Sequence, residues 1–223
     1  MKTACLAKEE SRQLLLSDSR IRTASTNPME VKLCCGIREL DEFLHGGLTF
    51  STLSEWGIPF GNGARRLMAL FLATATGGAT AGDQKHWCLW VSARPHHSLY
   101  PPAWSAAGVD LHRLRYCQSK APIKDLRSLF IDDFFRVIVL DAPAELTLED
   151  CCFLSQHARR NRQLIIILRD QFLLSSNHNV WARSRFNVKR EKGRYEIEAI
   201  RGALSKSKAT FAIPVPNLKN LNL

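Results

Sequence analysis

The sequence predicts an α/β fold: a mostly parallel central sheet with helices on both faces, ending in an antiparallel hairpin. Three observations predict it. Short apolar runs, Trp87-Cys-Leu-Trp-Val91, Val137-Ile-Val-Leu-Asp141 and Leu164-Ile-Ile-Ile-Leu168, suit buried parallel strands. Helical patterns separate them, and such alternation implies right-handed crossovers. Near the end, 182–190 and 195–201 flank a Glu191-Lys-Gly-Arg194 turn and read as a hairpin.

The elements follow in order. Residues 1–16 suggest a short helix with Leu6, Leu14, Leu15 and Leu16 on its apolar edge, and 17–28 read as a polar linker ending in Asn27-Pro28. Ile37, Leu40, Phe43 and Leu44 recur at helical spacing, and Gly46-Gly47 end that helix. Thr49 to Trp56 reads as a strand. The loop Gly57-Ile-Pro-Phe-Gly-Asn-Gly63 then opens an apolar helix, Leu67 to Ala75. Further helices are expected over Leu99–Ala107, Pro122–Phe135 and Leu148–Arg160, the last with Thr147 as N-cap and Asp150 three residues on. Ala209 to Ile213 supplies a final strand. The predicted organisation is an N-terminal helix and linker over 1–28, one core domain over 29–213 and a tail over 214–223.

The totals narrow the function classes. The 223 residues suit one core, and 45% hydrophobic with 23% charged residues is ordinary globular usage. No apolar run is long enough to span a bilayer and Met1-Lys-Thr-Ala-Cys5 leads into no signal core, so a cytoplasmic protein without a membrane role is expected. A formal net charge of +10 favours anionic partners, nucleic acid above all. Seven cysteines without CxxC spacing read as small apolar residues, and no metal is expected.

The loop is the natural place for a phosphate. Backbone N–H groups at a helix start can converge on an anion, but nucleotide hydrolysis also needs a Lys for the β/γ-phosphates and a Ser/Thr for Mg²⁺. Here Gly63-Ala64-Arg65-Arg66 stands where Gly-Lys-Ser/Thr belongs, and the outer glycines are one residue too far apart. Arginine is a planar fork and a poor substitute for a lysine point charge. Gly57, Gly61, Gly63, Arg65, Arg66 and Asp141 therefore form a degenerate nucleotide loop, with no catalytic residue and no cofactor expected, weak ATP or ADP binding being open to it but not expected. Asp141, at a strand tip, reads either as a remnant metal ligand or as a cap on the turn at Ala142-Pro143. His96-His97 reads as a solvated loop pair.

Gly36-Ile-Arg-Glu-Leu-Asp41, Gly46-Gly47-Leu48, the strand and the glycine loop together resemble the entry to RecA-type ATPase domains, including KaiC-like ones. The resemblance extends over about 29–213. It implies a RecA-like fold, a catalytic Glu at the position held here by Arg94, and a nucleotide-sensing residue and DNA-binding loop from Arg169 onward. An arginine cannot act as a general base. Loss of Lys, Ser/Thr and Glu together is similar to the ImuA and SulA branch, the ImuA kind being favoured by length, entry motif and hairpin. This implies a non-catalytic adaptor of the bacterial damage (SOS) response and DNA repair, acting in error-prone translesion synthesis with RecA or polymerase-cassette proteins and with single-stranded DNA. The alternatives are a divergent DNA-dependent ATPase using Arg65 or Arg66, and a SulA-like division inhibitor.

Basic residues crowd the last third. Arg169, Arg183, Arg185, Lys189, Arg190, Arg201, Lys206 and Lys208 form the candidate surface for nucleic acid or a partner, contacting phosphates without reading bases. Solvated strand edges, where Lys and Arg discourage pairing between chains, account for the same residues. The tail 217–223 is faintly similar to peptides that bind the polymerase sliding clamp, without their Gln and aromatic end.

Overall fold

The computed structural model describes residues 30–77, 85–94, 100–143, 146–175, 179–192, 194–202 and 206–213. The N-terminal helix and linker, His96-His97 and the 214–223 tail lie outside them.

Among the described residues ten strands form two sheets. The small one pairs β1 (Lys32–Leu33) with β2 (Leu48–Thr49) antiparallel. Between them lies α1 (Arg38–Phe43), reached through a turn that Asp41 holds: its carboxylate accepts from the N–H groups of Cys35 at 2.8 Å and Gly36 at 2.9 Å. Gly47 is required by close approach, because a Cβ there would sit 2.2 Å from the Leu33 carbonyl oxygen. The entry motif is thus a self-closing turn, with Leu40 and Phe43 buried.

The large sheet contains β3 (Thr52–Gly57), β4 (Cys88–Ser92), β5 (Leu114–Gln118), β6 (Val137–Asp141), β7 (Leu164–Arg169), β8 (Ser184–Glu191), β9 (Arg194–Arg201) and β10 (Lys208–Phe211). Their order is β10-β9-β8-β3-β7-β6-β4-β5. The pairs from β5 through β8 are parallel, and β8-β9-β10 is an antiparallel meander. The chain is therefore α/β with a mostly parallel sheet.

Strand alternation divides the core in two. Val137, Val139, Leu164, Ile166 and Leu168 join Trp56 and the buried side of α2 (Arg66–Thr76), including Leu67, Phe71 and Leu72. Ile138, Leu140, Ile165 and Ile167 face the other way, onto Leu154 and Ala158 of α6 (Leu148–Arg160). Both faces are buried, which is why β6 from Val137 to Leu140 and β7 from Leu164 to Leu168 are apolar throughout.

Two expectations change in detail. The strand expected from Thr49 is interrupted at Ser51, which has φ 63°. Residues 122–135 form not one helix but two short ones, α4 (Pro122–Asp125) and α5 (Arg127–Ile131). Asn161 explains the early stop, since its Nδ2 donates to the carbonyls of Phe130, Ile131 and Asp132 and takes the chain out of helical register. The helix expected from Leu99 is confined to α3 (Pro101–Ala106).

Candidate functional site

The ends of β3, β4, β6 and β7 lie at one edge of the sheet, where open α/β folds bind their ligands. The glycine loop 57–63 leaves β3 there. Gly61 and Gly63 have φ 86° and 77°, and Asn62 stitches the loop down: its Oδ1 accepts from Ala64 N–H at 2.8 Å and its Nδ2 donates to the Val188 carbonyl at 3.0 Å. The N–H groups of Arg66, Leu67 and Met68 donate to the carbonyls of Gly63, Ala64 and Arg65. Amides that would meet an anion in a phosphate loop are thus engaged within the chain.

Arg65 turns inward. Its Nε donates to Asp141 Oδ1 at 2.8 Å, its Nη1 to the Ile58 carbonyl at 2.9 Å and its Nη2 to Asp170. Arg94, two residues beyond β4, donates through Nη2 to the same Asp170 carboxylate, and its Nε stands 3.8 Å from Asp141 Oδ1. Phe60 covers the group, with the Arg94 guanidinium 4.2 Å from its ring centroid and that of Arg65 at 5.8 Å. Arg65, Arg94 and Asp141 are largely buried, while Asp170 is half exposed. Burial, then the neighbouring Arg65 charge, push the Arg94 guanidinium below its ordinary value, against the pull of Asp141. Two cations and two anions therefore gather where triphosphate chemistry would need an open Lys, a hydroxyl and a free carboxylate, and Arg94 Nε is buried there without a hydrogen-bond partner.

The degenerate-loop residues are brought together: Gly57, Gly61, Gly63, Arg65 and Asp141 share this edge. Gly57 serves packing, since a Cβ on it would come within 2.2 Å of Asn187 Oδ1 and 2.8 Å of Leu173 N. Asn187 in turn clamps the segment after β7, accepting from Leu173 N–H at 2.7 Å and donating to the Leu173 carbonyl at 3.0 Å. Arg66 starts α2 and is partly buried, which lowers its guanidinium pKa.

The eight basic residues proposed as one surface do not share one environment. Arg169 and Arg185 both pair with Glu55, each Nε lying 2.9 Å from a separate carboxylate oxygen, and Glu55 and Arg185 are almost wholly buried. The reason is register: Glu55 stands opposite Arg185 on β8, and Arg169 follows Ile167, the residue opposite Glu55 on β7, by two positions on the same face. These two arginines hold the fold together. Lys189 and Lys208 converge on Glu196 at 3.2 and 3.5 Å, an arrangement that raises the Lys189 pKa and lowers that of Glu196 through their hydrogen bond. Arg190 and Lys206 are exposed. Arg183 and Arg201 lie at the opposite end of the sheet from the loop, beside the start of β3.

Sequence reasoning missed Glu55, Asp170, Asn62 and Asn187. Glu55 carried a signal, a lone acid within the buried strand Thr52–Gly57; the others announced nothing, being ordinary loop or hairpin residues until folding placed them. Among the described residues no group of three His, Cys, Asp or Glu is arranged to hold a metal. No helix there is long and apolar enough to cross a membrane. No family model matches the chain, and comparison with curated proteins finds no match.

Proposed function

We propose that this protein is a non-catalytic, RecA-like adaptor of the bacterial DNA damage response, an ImuA-type accessory of error-prone translesion synthesis. It works by presenting a folded surface to RecA or to polymerase-cassette proteins, with single-stranded DNA as a further partner. The observation that carries the reading is the closed charge cluster of Arg65, Asp141, Arg94 and Asp170 at the sheet edge where a nucleotide would be processed. The order of elements supports it too: an entry turn, a strand leading into a glycine loop, parallel strands, and an antiparallel end.

Three measurements test the reading. Titration with a fluorescent ATP analogue and Mg²⁺ up to millimolar concentration gives no saturable signal, and turnover with single-stranded DNA stays at background. The protein co-sediments with RecA filaments or with a cassette polymerase. DNA-stimulated hydrolysis that disappears on changing Arg65 and Asp141 would overturn the non-catalytic assignment; failure to engage either class of partner would overturn the adaptor role.

A further inference from the structure

A cavity of about 560 Å³ opens at the other end of β3, lined by Ser51, Thr52 and Leu53, by Ser155 and Arg159 of α6, by 180–183, and by Arg201 at the end of β9. It lies roughly 15–20 Å from the Arg65 cluster, the length of a six-residue strand. We propose that this cavity holds a nucleotide unit, its phosphate on the arginines and its base on Trp181, supplied by a free mononucleotide or by one link of a single strand.

The lining fits that chemistry. Among the described residues that line it are three arginines, Arg159, Arg183 and Arg201, three hydroxyl side chains and no carboxylate. Guanidinium forks match phosphate oxygens bidentately. Arg201 is anchored by Nη1, which donates to the carbonyls of Asn179 at 3.4 Å and Val180 at 3.0 Å, so its position is set by the chain that forms the cavity wall. Ser155 and Arg159 stand four apart on α6 and thus on one helix face. Trp181, about one-third exposed, provides a π-face, and its backbone N–H is held by Asn179 Oδ1 at 3.2 Å. An indole beside clustered cations, within a volume typical of small-ligand sites, is the combination that binds a base and its phosphate. This inference does not rest on the reading of the strand tips.

The test uses the full chain at low salt, with a labelled 5′-phosphorylated oligothymidylate octamer as probe and dTMP and inorganic phosphate as competitors. R159E alters an exposed side chain and lowers octamer affinity by about tenfold or more, W181A by roughly fivefold or more, and R159K, which keeps the charge without the fork, falls between R159E and wild type. K124E, at an exposed residue of α4, leaves affinity within about twofold and controls for the general positive field. Displacement by dTMP at concentrations where phosphate is inert assigns the site to a free nucleotide. Resistance to dTMP, with the R159E and W181A losses intact, assigns it to a strand. Wild-type affinity in R159E and W181A, equal losses in R159E and K124E, or no binding by the wild-type chain overturns the proposal. None of these outcomes touches the ATP-turnover test, which stands or falls at the opposite end of the sheet.

Discussion

Arg65 Nε and Asp141 Oδ1 lie 2.8 Å apart in a largely buried contact that ties the first turn of α2 to the tip of β6, 76 residues away. The pair occupies the corner where the glycine loop meets the parallel strands. Arg65 is an internal strut, and its carboxylate partner faces a second guanidinium, that of Arg94, as well.

Asp141→Asn leaves Arg65 and Arg94 facing each other with only the half-exposed Asp170 between them. Breaking a buried ion pair by removing one partner costs about 3–5 kcal/mol, and partial exposure here reduces that to about 2–3 kcal/mol. Urea denaturation measures it. A loss below about 0.5 kcal/mol would show that the cluster is ornamental.

Glu55 offers a more buried case. Glu55→Gln strands Arg185, which is 3% exposed, and should cost about 3–5 kcal/mol. Arg169 is more exposed, so Arg169→Gln costs less. Denaturation of the two single variants and the double variant gives the coupling energy, expected to be at least about 1 kcal/mol. Additive effects would contradict a shared carboxylate.

Gly57→Ala places a methyl against Asn187 and the backbone of Gln171 and Leu173. The clamp on that segment must open or β3 must shift, at a cost of about 1–3 kcal/mol. Combining it with Asn187→Ala removes the nearest obstacle, and the double variant is expected to be less destabilised than the sum of the two, again by denaturation.

Thr147 and Asp150 form a complete capping box at the start of α6: Thr147 Oγ1 accepts from Asp150 N–H at 3.1 Å and Asp150 Oδ2 from Thr147 N–H at 3.0 Å. Thr147→Ala should lower stability by about 1 kcal/mol. Wild-type stability in this variant would mean the helix is held by packing alone.

The histidines set a pH dependence. Burial, then Arg136, lower the His86 pKa from its ordinary 6.5; burial, then Arg160 and Arg127, lower that of His157. The folded state therefore binds fewer protons than the unfolded state once the pH falls towards 6.5, and stability drops as pH decreases. The contribution is full above the unfolded value and the loss levels off below the folded one. Replacing both with Gln should flatten the stability profile between about pH 7 and 5; an unchanged slope would assign the acid sensitivity to other groups.

Much of the chain was legible from local chemistry. The spacing of Ile37, Leu40, Phe43 and Leu44, the apolar runs at 87–91, 137–141 and 164–168, and the Thr147 cap each state what their own segment does, because helical and strand periodicity and capping act over a few residues. The same locality let Gly63-Ala64-Arg65-Arg66 read as a loop without its lysine and hydroxyl. Local chemistry could not say which charges would meet. Arg169 and Arg185 looked like members of a basic surface until β-sheet register set both against Glu55, and Asp170 had no visible role until two arginines, one from the start of α2 and one from just past β4, arrived beside it. Sequence alone thus determined the α/β pattern and the absence of a Gly-Lys-Ser/Thr sequence in the glycine loop. Only tertiary structure decided which cations became struts and which line a cavity, because pairing between distant strands is governed by register and sheet order, properties of the whole packed chain.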